Sequence, residues 1–583
     1  MIGDPWPWSR KTIVRRAEGA GPDQLPASLH PVLRRVLRAR GVSCPEELGQ
    51  SLTQLHDFRT LTGVDAAAEL LCAALDQQQR ILIAADFDAD GATSCAVAVR
   101  ALRRMGAAEV GFIVPNRFEF GYGLSPELVT VAAQSKPDLI VTVDNGISSM
   151  EGVDAARRLG IRVLVTDHHL PGEALPAADA IVNPNLRGDP FPSKHLAGVG
   201  VVFYVLMALR ARLREQRWFR RKRLPEPNLA ELLDLVALGT VADLVRLDRN
   251  NRILVSQGLA RMRAGACCAG IGALAEAAGR SLSEITSQDL AFALAPRLNA
   301  AGRLEDMSKG IACLLADEVA EAAATAQSLD SLNRERRSIE EAMHRQALDG
   351  LAERLAADSD LPFGLCLYDD NWHQGVIGIL AARIRERFHR PVVALASGQG
   401  DELKGSARSV PGLHLRDTLA AIDSRYPGLM QRFGGHATAA GLSLKRHCLE
   451  RFAAAFDAQV RASVEPEELT GTVFSDGELS PDELCLETAQ ALRNAGPWGQ
   501  GFPEPVFDGE FEVADARLVA ERHLKLRVRQ VGGSGSWPAI AFRAGAVPFA
   551  QVGARLRVAY RLDVDRFRGL LTPQLVVEHL QLV

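Results

Sequence analysis

The sequence contains no apolar run long enough to cross a membrane, and its first eleven residues lack the apolar core of a secretion signal. Its nine cysteines are scattered, odd in number and free of any Cys-x-x-Cys pair. This pattern argues against a zinc cluster or a disulfide framework and is typical of reduced thiols in a cytosol. The sequence therefore predicts a soluble, cytoplasmic protein without a membrane partner.

A strong net charge is also absent, since the formal charge is -4 over 583 residues. Any affinity for nucleic acid must therefore come from local basic patches. The chain has no Gly-x-x-x-x-Gly-Lys-Ser/Thr loop, so we do not expect it to unwind duplexes with ATP. Hydrophobic residues make up 47% and charged residues 24% of the chain, a globular balance. The length allows about two to four domains.

The most informative stretch joins an apolar strand to three carboxylates. Ile81–Ala85 predicts a buried strand, and Asp86, Asp88 and Asp90 follow it before a predicted helix. Ligands bind at the carboxyl ends of strands in open α/β sheets. Three crowded carboxylates repel one another, so this loop predicts a bound hard cation. The alternatives are a turn with solvated acids, or an EF-hand loop, which would need a glutamate where Val97 stands.

Between about residues 80 and 190, apolar strands alternate with helical stretches, which predicts βαβ units and a parallel sheet. Potential metal ligands follow three of these strands, so they would gather at one edge of the sheet. Carboxylates suit magnesium and manganese, neutral imidazole suits manganese, and a neighbouring carboxylate can orient the imidazole. The strands are Ile81–Ala85, Val110–Pro115, Leu139–Val143, Arg162–Thr166 and Ala180–Val182, and the further ligand candidates are Asp144, Asp167, His168 and His169.

Two later segments add polar residues of interest. Asp243 belongs to the strongly apolar predicted helix Leu229–Val245, where a carboxylate is costly unless it is paired or bound to metal. We interpret Asp243 as another ligand. The basic segment Arg210–Arg223 contains Trp218 and Phe219, so it is either a solvated helix face or a surface that stacks on bases beside phosphate contacts.

Taken in order, these motifs resemble those of the DHH phosphoesterase superfamily. They are Asp86-Phe-Asp88-Ala-Asp90-Gly91, Asp144-Asn-Gly, Asp167-His168-His169 and Gly239-Thr-Val-Ala-Asp243. Later segments are similar to its RecJ single-strand-specific exonuclease branch, and the resemblance runs from about residue 80 to about residue 445, more loosely to the end. These segments are Ala295-Pro-Arg297-Leu-Asn299-Ala-Ala-Gly302-Arg303, Asn371-Trp-His373-Gln-Gly, Gly405-Ser406-Ala-Arg408-Ser409 and Phe433-Gly434-Gly435-His436.

Pattern and resemblance together imply an α/β fold, with a parallel-sheet DHH domain joined by a long helix to a DHH-associated α/β domain and a C-terminal all-β barrel. Residues 311–349 lack proline and glycine, which favours one or two long helices, with Glu321–His344 as the clearest part. A single forty-residue helix would span roughly 60 Å at about 1.5 Å per residue, and the alternative is an ordinary helical pair. Five short strands near the C-terminus predict an OB-like barrel. The predicted domains are an N-terminal helical segment (1–75), the DHH catalytic domain (76–310), the connecting helix (311–358), the DHH-associated domain (359–462) and the OB-fold domain (463–583).

Two of these regions carry further expectations. Lys525, Arg527 and Arg529 alternate along one predicted barrel strand, so they should share a face that could bind the backbone of a nucleic acid strand. The resemblance implies that the DHH-associated domain closes over the metal centre and creates a groove.

The resemblance also implies two divalent cations, Mn²⁺ or Mg²⁺, held by five residues. Asp88 and Asp144 would bind the first ion. The second ion would be bound by Asp90, His168 and Asp243, with Asp144 as the bridging ligand.

The remaining implied roles concern catalysis and the substrate. Ala84 stands where some superfamily members carry a histidine ligand, so we expect the first ion to bind weakly or to arrive with the substrate. His169 would contact the scissile phosphate, Arg303 would assist, and Asp86 would be a metal ligand or lie directly beside the ligands. The implied contacts to substrate are Arg297, Asn299, His373, Ser406, Arg408, Gly434, Gly435 and His436.

The function implied by the resemblance is 5′-to-3′ hydrolysis of single-stranded DNA to mononucleotides in repair and recombination. A helicase would open duplex ends, a single-strand-binding protein would be a partner, and the chain would act as a monomer. One alternative is a DHH phosphodiesterase that acts on short RNA or dinucleotides, although such substrates need neither a long helix nor a barrel. The other is a non-catalytic replication scaffold, which the presence of the acidic ligands disfavours.

Overall fold

The computed structural model describes residues 11–17, 19, 21–116, 121–357, 361–533, 535–545, 547–567 and 569–583. The chain forms two compact units. The parallel-sheet unit comprises Cys44–Arg334 and Gly496–Glu504. The barrel unit comprises the described part of Met1–Ser43, together with Glu335–Ala495 and Pro505–Val583. None of the described helices combines the length and apolar character required to cross a membrane.

The parallel-sheet unit is built on the five strands predicted between residues 80 and 190. All neighbouring strands are parallel, and Ala85, Val143, Thr166 and Val182 lie side by side in register. The carboxyl ends of these four strands are therefore level, which confirms the predicted common edge. In spatial order the strands are Glu109–Ile113, Arg80–Ala85, Leu139–Val143, Arg162–Thr166 and Ala180–Val182.

Helices surround this sheet because its strands are almost wholly apolar and have to be covered on both faces. The apolar segment predicted as one helix over Leu229–Val245 is a short turn, Leu229–Leu232, followed by a helix that ends immediately before Asp243. The helices of the unit are Val64–Asp76, Ala89–Arg104, Pro126–Ala132, Met150–Arg158, Gly198–Glu215, Trp218–Lys222, Leu233–Ala242, Arg249–Arg263, Ala269–Ala277, Ser287–Asp289, Ala295–Leu304 and Ser308–Leu315, with a π-helical turn at Leu290–Leu294.

The long helix runs over Val319–Ala357, and its 39 residues span about 58 Å. It begins later than the predicted residue 311, because Ser308–Leu315 forms a separate helix. The break has a tertiary cause: the Arg100 guanidinium donates to the carbonyl oxygens of Leu314 and Ala316 and pairs with Asp317. An arginine from a distant helix thus satisfies the end of one helix before the next begins.

The barrel unit contains a second sheet, in which the first four strands are antiparallel and the last pair is parallel. Its strands, in spatial order, are Arg432–Gly435, Ala439–Lys445, Glu402–Arg408, Val392–Ser397 and Leu365–Tyr368. Its helices are Ile377–Phe388, Leu415–Arg425 and Leu449–Arg461.

The C-terminal strands close into a five-stranded barrel, which confirms the predicted fold. Lys525, Arg527 and Arg529 alternate with buried neighbours and share the outer face, as predicted. In register on the next strand, however, Arg527 lies beside Asp515 and Arg529 lies beside Glu512, so carboxylates accompany part of this basic face. The strands are Phe507–Val519, His523–Gln530, Ser536–Ala541, Leu570–Leu582 and Arg555–Phe567, with the helix Leu486–Asn494 before them.

The predicted N-terminal helical segment is only partly helical. Lys11–Arg15 forms a strand that pairs in parallel with Gly471–Ser475, far along the chain, and the helix Pro31–Arg38 follows. Residues 1–10 of this predicted segment lie outside the described residues. Such a pairing has no local signal, because its two strands are separated by more than 450 residues.

Candidate metal centre

The Asp86–Asp90 loop connects the strand Arg80–Ala85 to the helix Ala89–Arg104. Asp88 caps this helix, and its Oδ1 accepts hydrogen bonds from the amides of Asp90 at 2.9 Å and Gly91 at 3.0 Å. A Cβ at Gly91 would lie 2.4 Å from the carbonyl oxygen of Asp86, so only glycine permits this tight turn. The loop therefore directs three carboxylates toward one edge of the sheet within a single turn.

Asp90 is fully buried and lies against the N-terminus of a second helix, Gly198–Glu215. Its two carboxylate oxygens accept hydrogen bonds from the amides of Gly198 at 2.6 Å and Val199 at 3.0 Å, at the N-terminus of Gly198–Glu215. The positive end of that helix favours the charged carboxylate. A Cβ at Gly198 would lie 2.5 Å from Cβ of Asp144, so this glycine also makes room for the next ligand.

Asp144 follows the strand Leu139–Val143 in an unusual backbone conformation. Its φ of +63° lies in the left-handed region, which few non-glycine residues adopt and which aspartate tolerates better than most. Its Oδ1 lies 3.1 Å from Nε2 of His168, and the same Nε2 lies 3.4 Å from Oδ2 of Asp243. Residues from three separated motifs thus meet around one imidazole.

Potential ligand atoms form three overlapping groups, and within each group they lie within 4.8 Å of one another. Asp144 and His168 each belong to two groups, so the groups are contiguous. Carboxylate oxygens and one imidazole nitrogen are the donors expected for Mn²⁺, and the all-carboxylate group also suits Mg²⁺. The groups are Asp86, Asp88 and Asp144; Asp90, His168 and Asp243; and Asp144, His168 and His169.

The electrostatics of these carboxylates also favour a cation. Burial raises the pKa of Asp90 to about 7, with a further contribution from the charge of Asp88. Burial and neighbouring carboxylates likewise hold the pKa values of Asp144 and Asp243 well above their usual range. Oδ1 of Asp144 is buried and accepts no hydrogen bond from the described residues. A divalent cation would supply the positive charge that these groups need in order to stay ionised.

Asp167 belongs to none of the three ligand groups, but it contacts His169, which belongs to one of them. Its Oδ1 lies 2.7 Å from Nδ1 of His169 and accepts the amides of His168 and His169, while its Oδ2 accepts the amide of Ile147. Burial lowers the pKa of His169, but the hydrogen bond to Asp167 and the surrounding carboxylates raise it overall. Asp167 therefore orients the His169 ring and fixes the loop that carries both histidines.

Three polar residues at this edge were not predicted. The Tyr122 hydroxyl lies 3.2 Å from Nδ1 of His169, and the side-chain amides of Asn183 and Asn185 donate to the carbonyl oxygens of His169 and His168. Asn183 and Asn185 directly follow the strand Ala180–Val182, and this placement was a signal that could have revealed them. Tyr122 follows no strand end, so the pattern contained no comparable signal.

A second cluster lies in the barrel unit and contains several residues predicted to bind substrate. Nη1 of Arg408 donates to Oγ of Ser406 at 3.1 Å and to the carbonyl oxygen of Ala407 at 2.8 Å. Burial, followed by the charge of Arg385, lowers the pKa of Arg408. Among the described residues, no carboxylate lies within ion-pair distance of Arg408, so this guanidinium is a partly buried cation without an anionic partner there.

The surroundings of Arg408 come from a helix start and a glycine hairpin. A Cβ at Gly378, at the start of Ile377–Phe388, would lie 3.0 Å from Nη2 of Arg408. Gly434 and Ser406 lie on either side of Gly441 in the sheet register. The His436 amide donates a hydrogen bond to the carbonyl oxygen of Ala439. Gly435 has a φ of +141° and could not carry a Cβ, which would lie 2.5 Å from the carbonyl oxygen of Ala439. His373 immediately precedes the same helix start, and its carbonyl oxygen accepts the amides of Val376 and Ile377.

Comparison with known proteins shows the family. Models of the DHH family N-terminal domain, the DHHA1 domain and the RecJ OB domain match residues 80–240, 361–462 and 475–579. The single-stranded-DNA-specific exonuclease RecJ of Dickeya dadantii is 56% identical over 559 residues, which cover 96% of this chain and 97% of that protein. The chain belongs to the RecJ family.

Solved RecJ structures support the same conclusion for the fold. RecJ of Thermus thermophilus in complex with Mn²⁺ matches with a TM-score of 0.78 at 32% identity, over 97% of this chain and 80% of that one. Its complex with Mg²⁺ matches with a TM-score of 0.72 at 30% identity, over 97% and 78%. The matched DHH, DHHA1 and OB regions lie inside the predicted domains, whose boundaries stay predictions.

The helix Ala295–Leu304, which carries a RecJ-like motif, packs on the Asp86–Asp90 loop. A Cβ at Gly302 would lie 2.0 Å from the carbonyl oxygen of Phe87, and Oδ1 of Asn299 accepts the Ala89 amide at 2.8 Å. Asn299 therefore braces the loop that holds Asp88 and Asp90. Arg303, four residues after Asn299, lies one helical turn farther on and is partly exposed.

The contacts of Arg297 differ from those predicted for a substrate-binding residue. Its guanidinium is buried, pairs with Asp330 at 2.7 Å and donates to the carbonyl oxygen of Ala293 at 2.6 Å. These partners indicate that Arg297 ties its helix to the start of the long helix. A motif shows which residue type is present but not which way the side chain faces.

The basic segment Arg210–Arg223 does not present aromatic rings for base stacking. Trp218 is fully buried, and its Nε1 donates to the carbonyl oxygen of Met105 at 2.9 Å. Phe219 is also buried. The prediction that these two rings stack on bases is therefore wrong, because both rings are buried and anchor the short helix Trp218–Lys222.

Proposed function

We propose that the protein is a metal-dependent exonuclease that hydrolyses single-stranded DNA from its 5′ end to mononucleotides. The observation that carries this proposal is the meeting of residues from four motifs in three overlapping ligand groups. The RecJ relatives, which are named as single-stranded-DNA-specific exonucleases over nearly the whole length of the chain, support the substrate class.

The ligand groups fit two divalent ions. RecJ of Thermus thermophilus has been solved in complex with Mn²⁺ and in complex with Mg²⁺, which supports either metal. Asp88 and Asp144 hold one ion, and Asp86 belongs to the same group. Asp90, His168 and Asp243 hold the other, with Asp144 between them. Such ions activate water and stabilise the negative charge of the leaving oxygen. Ala84, on the buried strand, adds no ligand to the first ion, which binds more weakly.

The residues around the ions position the phosphodiester. Asp167 holds Nδ1 of His169, so Nε2 of this ring can donate to an oxygen of the scissile phosphate. The Tyr122 hydroxyl, within 3.4 Å of the ring, restricts its rotation. Asn299 keeps the Asp88 loop in place, and Arg303, one turn away, adds positive charge toward the phosphate.

The Arg408 cluster binds the backbone of the DNA strand. A partly buried guanidinium without a carboxylate partner loses part of its hydration, and a phosphate would supply the missing negative charge. The start of Ile377–Phe388 and the Ser406 hydroxyl add further donors, since helix N-termini favour anions. Gly434 and Gly435 let the DNA backbone approach the protein closely. His373 and His436 also contact the DNA.

The cellular role follows from what the chain lacks. Since the chain has no nucleotide-binding loop for ATP hydrolysis, a helicase opens duplex ends. A single-strand-binding protein then keeps the unwound DNA strand accessible to the enzyme. The enzyme acts as a monomer in DNA repair and recombination. All nine cysteines are free, which agrees with a cytoplasmic location.

Digestion of end-labelled oligonucleotides tests the proposal. Wild-type protein would be incubated with 5′- or 3′-labelled single-stranded DNA, with matched RNA and with dinucleotides, in Mg²⁺, Mn²⁺ or chelator. We expect mononucleotide release from the 5′ label at the first time points, only with metal. Faster turnover of RNA or dinucleotides would favour the alternative phosphodiesterase, and no turnover with either metal would favour a scaffold.

A further inference from the structure

The segment Gly496–Glu504, here called the strap, packs with the parallel-sheet unit, whereas the residues on both sides of it belong to the barrel unit. It lies between the helix Leu486–Asn494 and the first barrel strand, Phe507–Val519. A nine-residue connection inside the C-terminal region thus belongs structurally with the metal centre. Such a placement requires specific anchors, because ordering a chain segment costs conformational entropy.

Two aromatic residues anchor the strap. Trp498 and Phe502 are 5% and 4% exposed, and their rings stack with centroids 5.2 Å apart and planes 13° apart. Gly499 and Phe502 exchange backbone hydrogen bonds of 2.9 and 3.1 Å, which close the strap into a tight turn. The carbonyl oxygen of Trp498 accepts a buried hydrogen bond of 2.7 Å from Ser287.

The strap holds the turn that follows Asp243. The Leu247 amide donates to the carbonyl oxygen of Gln500 at 2.7 Å. The Arg252 guanidinium lies 4.4 Å from the Phe502 ring centroid and donates to the carbonyl oxygen of Leu247 at 3.2 Å. One backbone hydrogen bond and one arginine therefore fix Leu247 against the strap. Two glycines permit the close approach, since a Cβ at Gly501 would lie 2.3 Å from Cγ of Arg246 and a Cβ at Gly499 would lie 2.8 Å from Cδ1 of Leu247.

The held turn begins at a metal ligand. Asp243 ends the helix Leu233–Ala242, and the next residue, Leu244, has a φ of +58° although it is not a glycine. Such a conformation persists only where the surrounding structure enforces it. Only three residues separate Asp243 from Leu247.

We propose that the strap is a positioning element that keeps Asp243 in place for the metal ion of the Asp90, His168 and Asp243 group. Trp498 and Phe502 are positioning residues that act through Leu247 and Arg252. The inference rests on the proposed metal function of Asp243. It makes one catalytic ligand dependent on a segment about 250 residues farther along the chain.

Binding of Mn²⁺ alone tests the strap. Free Mn²⁺ would be titrated by electron paramagnetic resonance with the full-length protein in the absence of DNA, for wild type, Trp498→Leu and Phe502→Leu. These variants keep an apolar side chain, smaller than the ring it replaces, and lose the stack. We expect the half-saturating Mn²⁺ concentration to rise about tenfold, as for other changes to groups that orient metal ligands. In activity assays, kcat should recover at saturating Mn²⁺, and KM for the oligonucleotide should stay within about twofold of wild type.

Two controls separate positioning from general damage. Phe502→Tyr retains the ring and should bind Mn²⁺ like wild type. Phe219→Leu removes a buried ring from a different helix of the same unit and should not change the half-saturating concentration. Wild-type Mn²⁺ binding in both strap variants, or an equal loss in Phe219→Leu, would overturn the inference.

Asp243→Asn distinguishes failure of the strap from failure of the metal assignment. If Asp243→Asn weakens Mn²⁺ binding while the strap variants do not, only the strap inference fails. If Asp243→Asn binds Mn²⁺ like wild type, the assignment of Asp243 as a ligand fails, and the strap inference fails with it.

Discussion

Among single residues, Asp144 has the most constrained position in the metal centre. It combines a left-handed backbone, a buried carboxylate and a place in two ligand groups. A Cβ at Gly198 would lie 2.6 Å from Oδ1 of Asp144, which shows how closely neighbouring backbone approaches this carboxylate. A change of charge here should therefore affect chemistry without disturbing the fold, provided that the new side chain tolerates the backbone.

Asp144→Asn meets that condition, because asparagine tolerates the left-handed conformation. We expect kcat on single-stranded DNA to fall by about 10³-fold or more, since the bridging charge is lost. Binding of an oligonucleotide, measured by fluorescence anisotropy, should persist. Asp154→Asn, an exposed aspartate of the helix Met150–Arg158, is the matched control. Retained turnover in Asp144→Asn would refute the metal assignment.

Asp167 should behave differently from the ligands. Asp167→Asn weakens the hold on Nδ1 of His169 and on three backbone amides. We expect kcat to fall about 10- to 100-fold, the usual effect of removing a group that orients an active-site histidine. Mn²⁺ affinity, measured by paramagnetic resonance, should fall less than in Asp144→Asn. An equal loss of Mn²⁺ would identify Asp167 as a ligand instead.

At the scale of secondary-structure elements, the start of Ile377–Phe388 and the strand Glu402–Arg408 form the predicted phosphate site. Arg408→Gln should raise KM for single-stranded DNA about 10- to 100-fold, because a charge-assisted hydrogen bond is worth about 1.5–3 kcal/mol. At saturating DNA, kcat should change by less than about threefold. Arg425→Gln, at an exposed arginine of the same unit, should leave both parameters unchanged. A loss confined to kcat would place Arg408 in the chemistry rather than in binding.

The barrel strand Leu570–Leu582 carries a buried histidine that should make local stability depend on pH. Burial lowers the pKa of His579 from 6.5 to about 4. The unfolded chain binds the proton more tightly, so stability is complete above about pH 6.5 and is lost as the pH falls toward 4. The slope should be about 1.4 kcal/mol per pH unit.

Hydrogen exchange of the Arg555–Phe567 and Leu570–Leu582 peptides, corrected for intrinsic rates, measures this slope. His579→Gln removes the titrating group, so its stability should depend less on pH over the same interval. Parallel curves for wild type and His579→Gln would contradict the buried neutral state of the histidine.

At the scale of the whole molecule, the net charge of -4 makes the local character of DNA binding testable. If buried and surface arginines bind the phosphate backbone, affinity should fall steeply with salt, because counterions are released. With Asp144→Asn, which blocks turnover, we expect the Kd of an oligonucleotide to rise at least about tenfold between about 50 and about 200 mM salt. An affinity that is flat over this range would argue against phosphate contacts.

Much of the metal centre could be predicted from the sequence alone. A buried parallel strand is a short apolar run, and the first polar residue after it lies at the carboxyl edge of the sheet. This local rule located Asp86, Asp144 and Asp167, with His168 directly after it, and it could have located Asn183. The strand Leu139–Val143 matches its predicted bounds. The long helix was likewise predictable from an interval without proline or glycine.

Only the tertiary structure decided the contacts between residues that are distant in the chain. The burial of Trp218, the ion pair of Arg297, the amides of Gly198 and Val199 on Asp90 and the strap on Leu247 are all of this kind. None of them leaves a periodic or compositional trace, because each depends on which distant backbone or side chain fills the neighbouring space. Local patterns thus determined where ligands could gather, and long-range packing decided what holds them there.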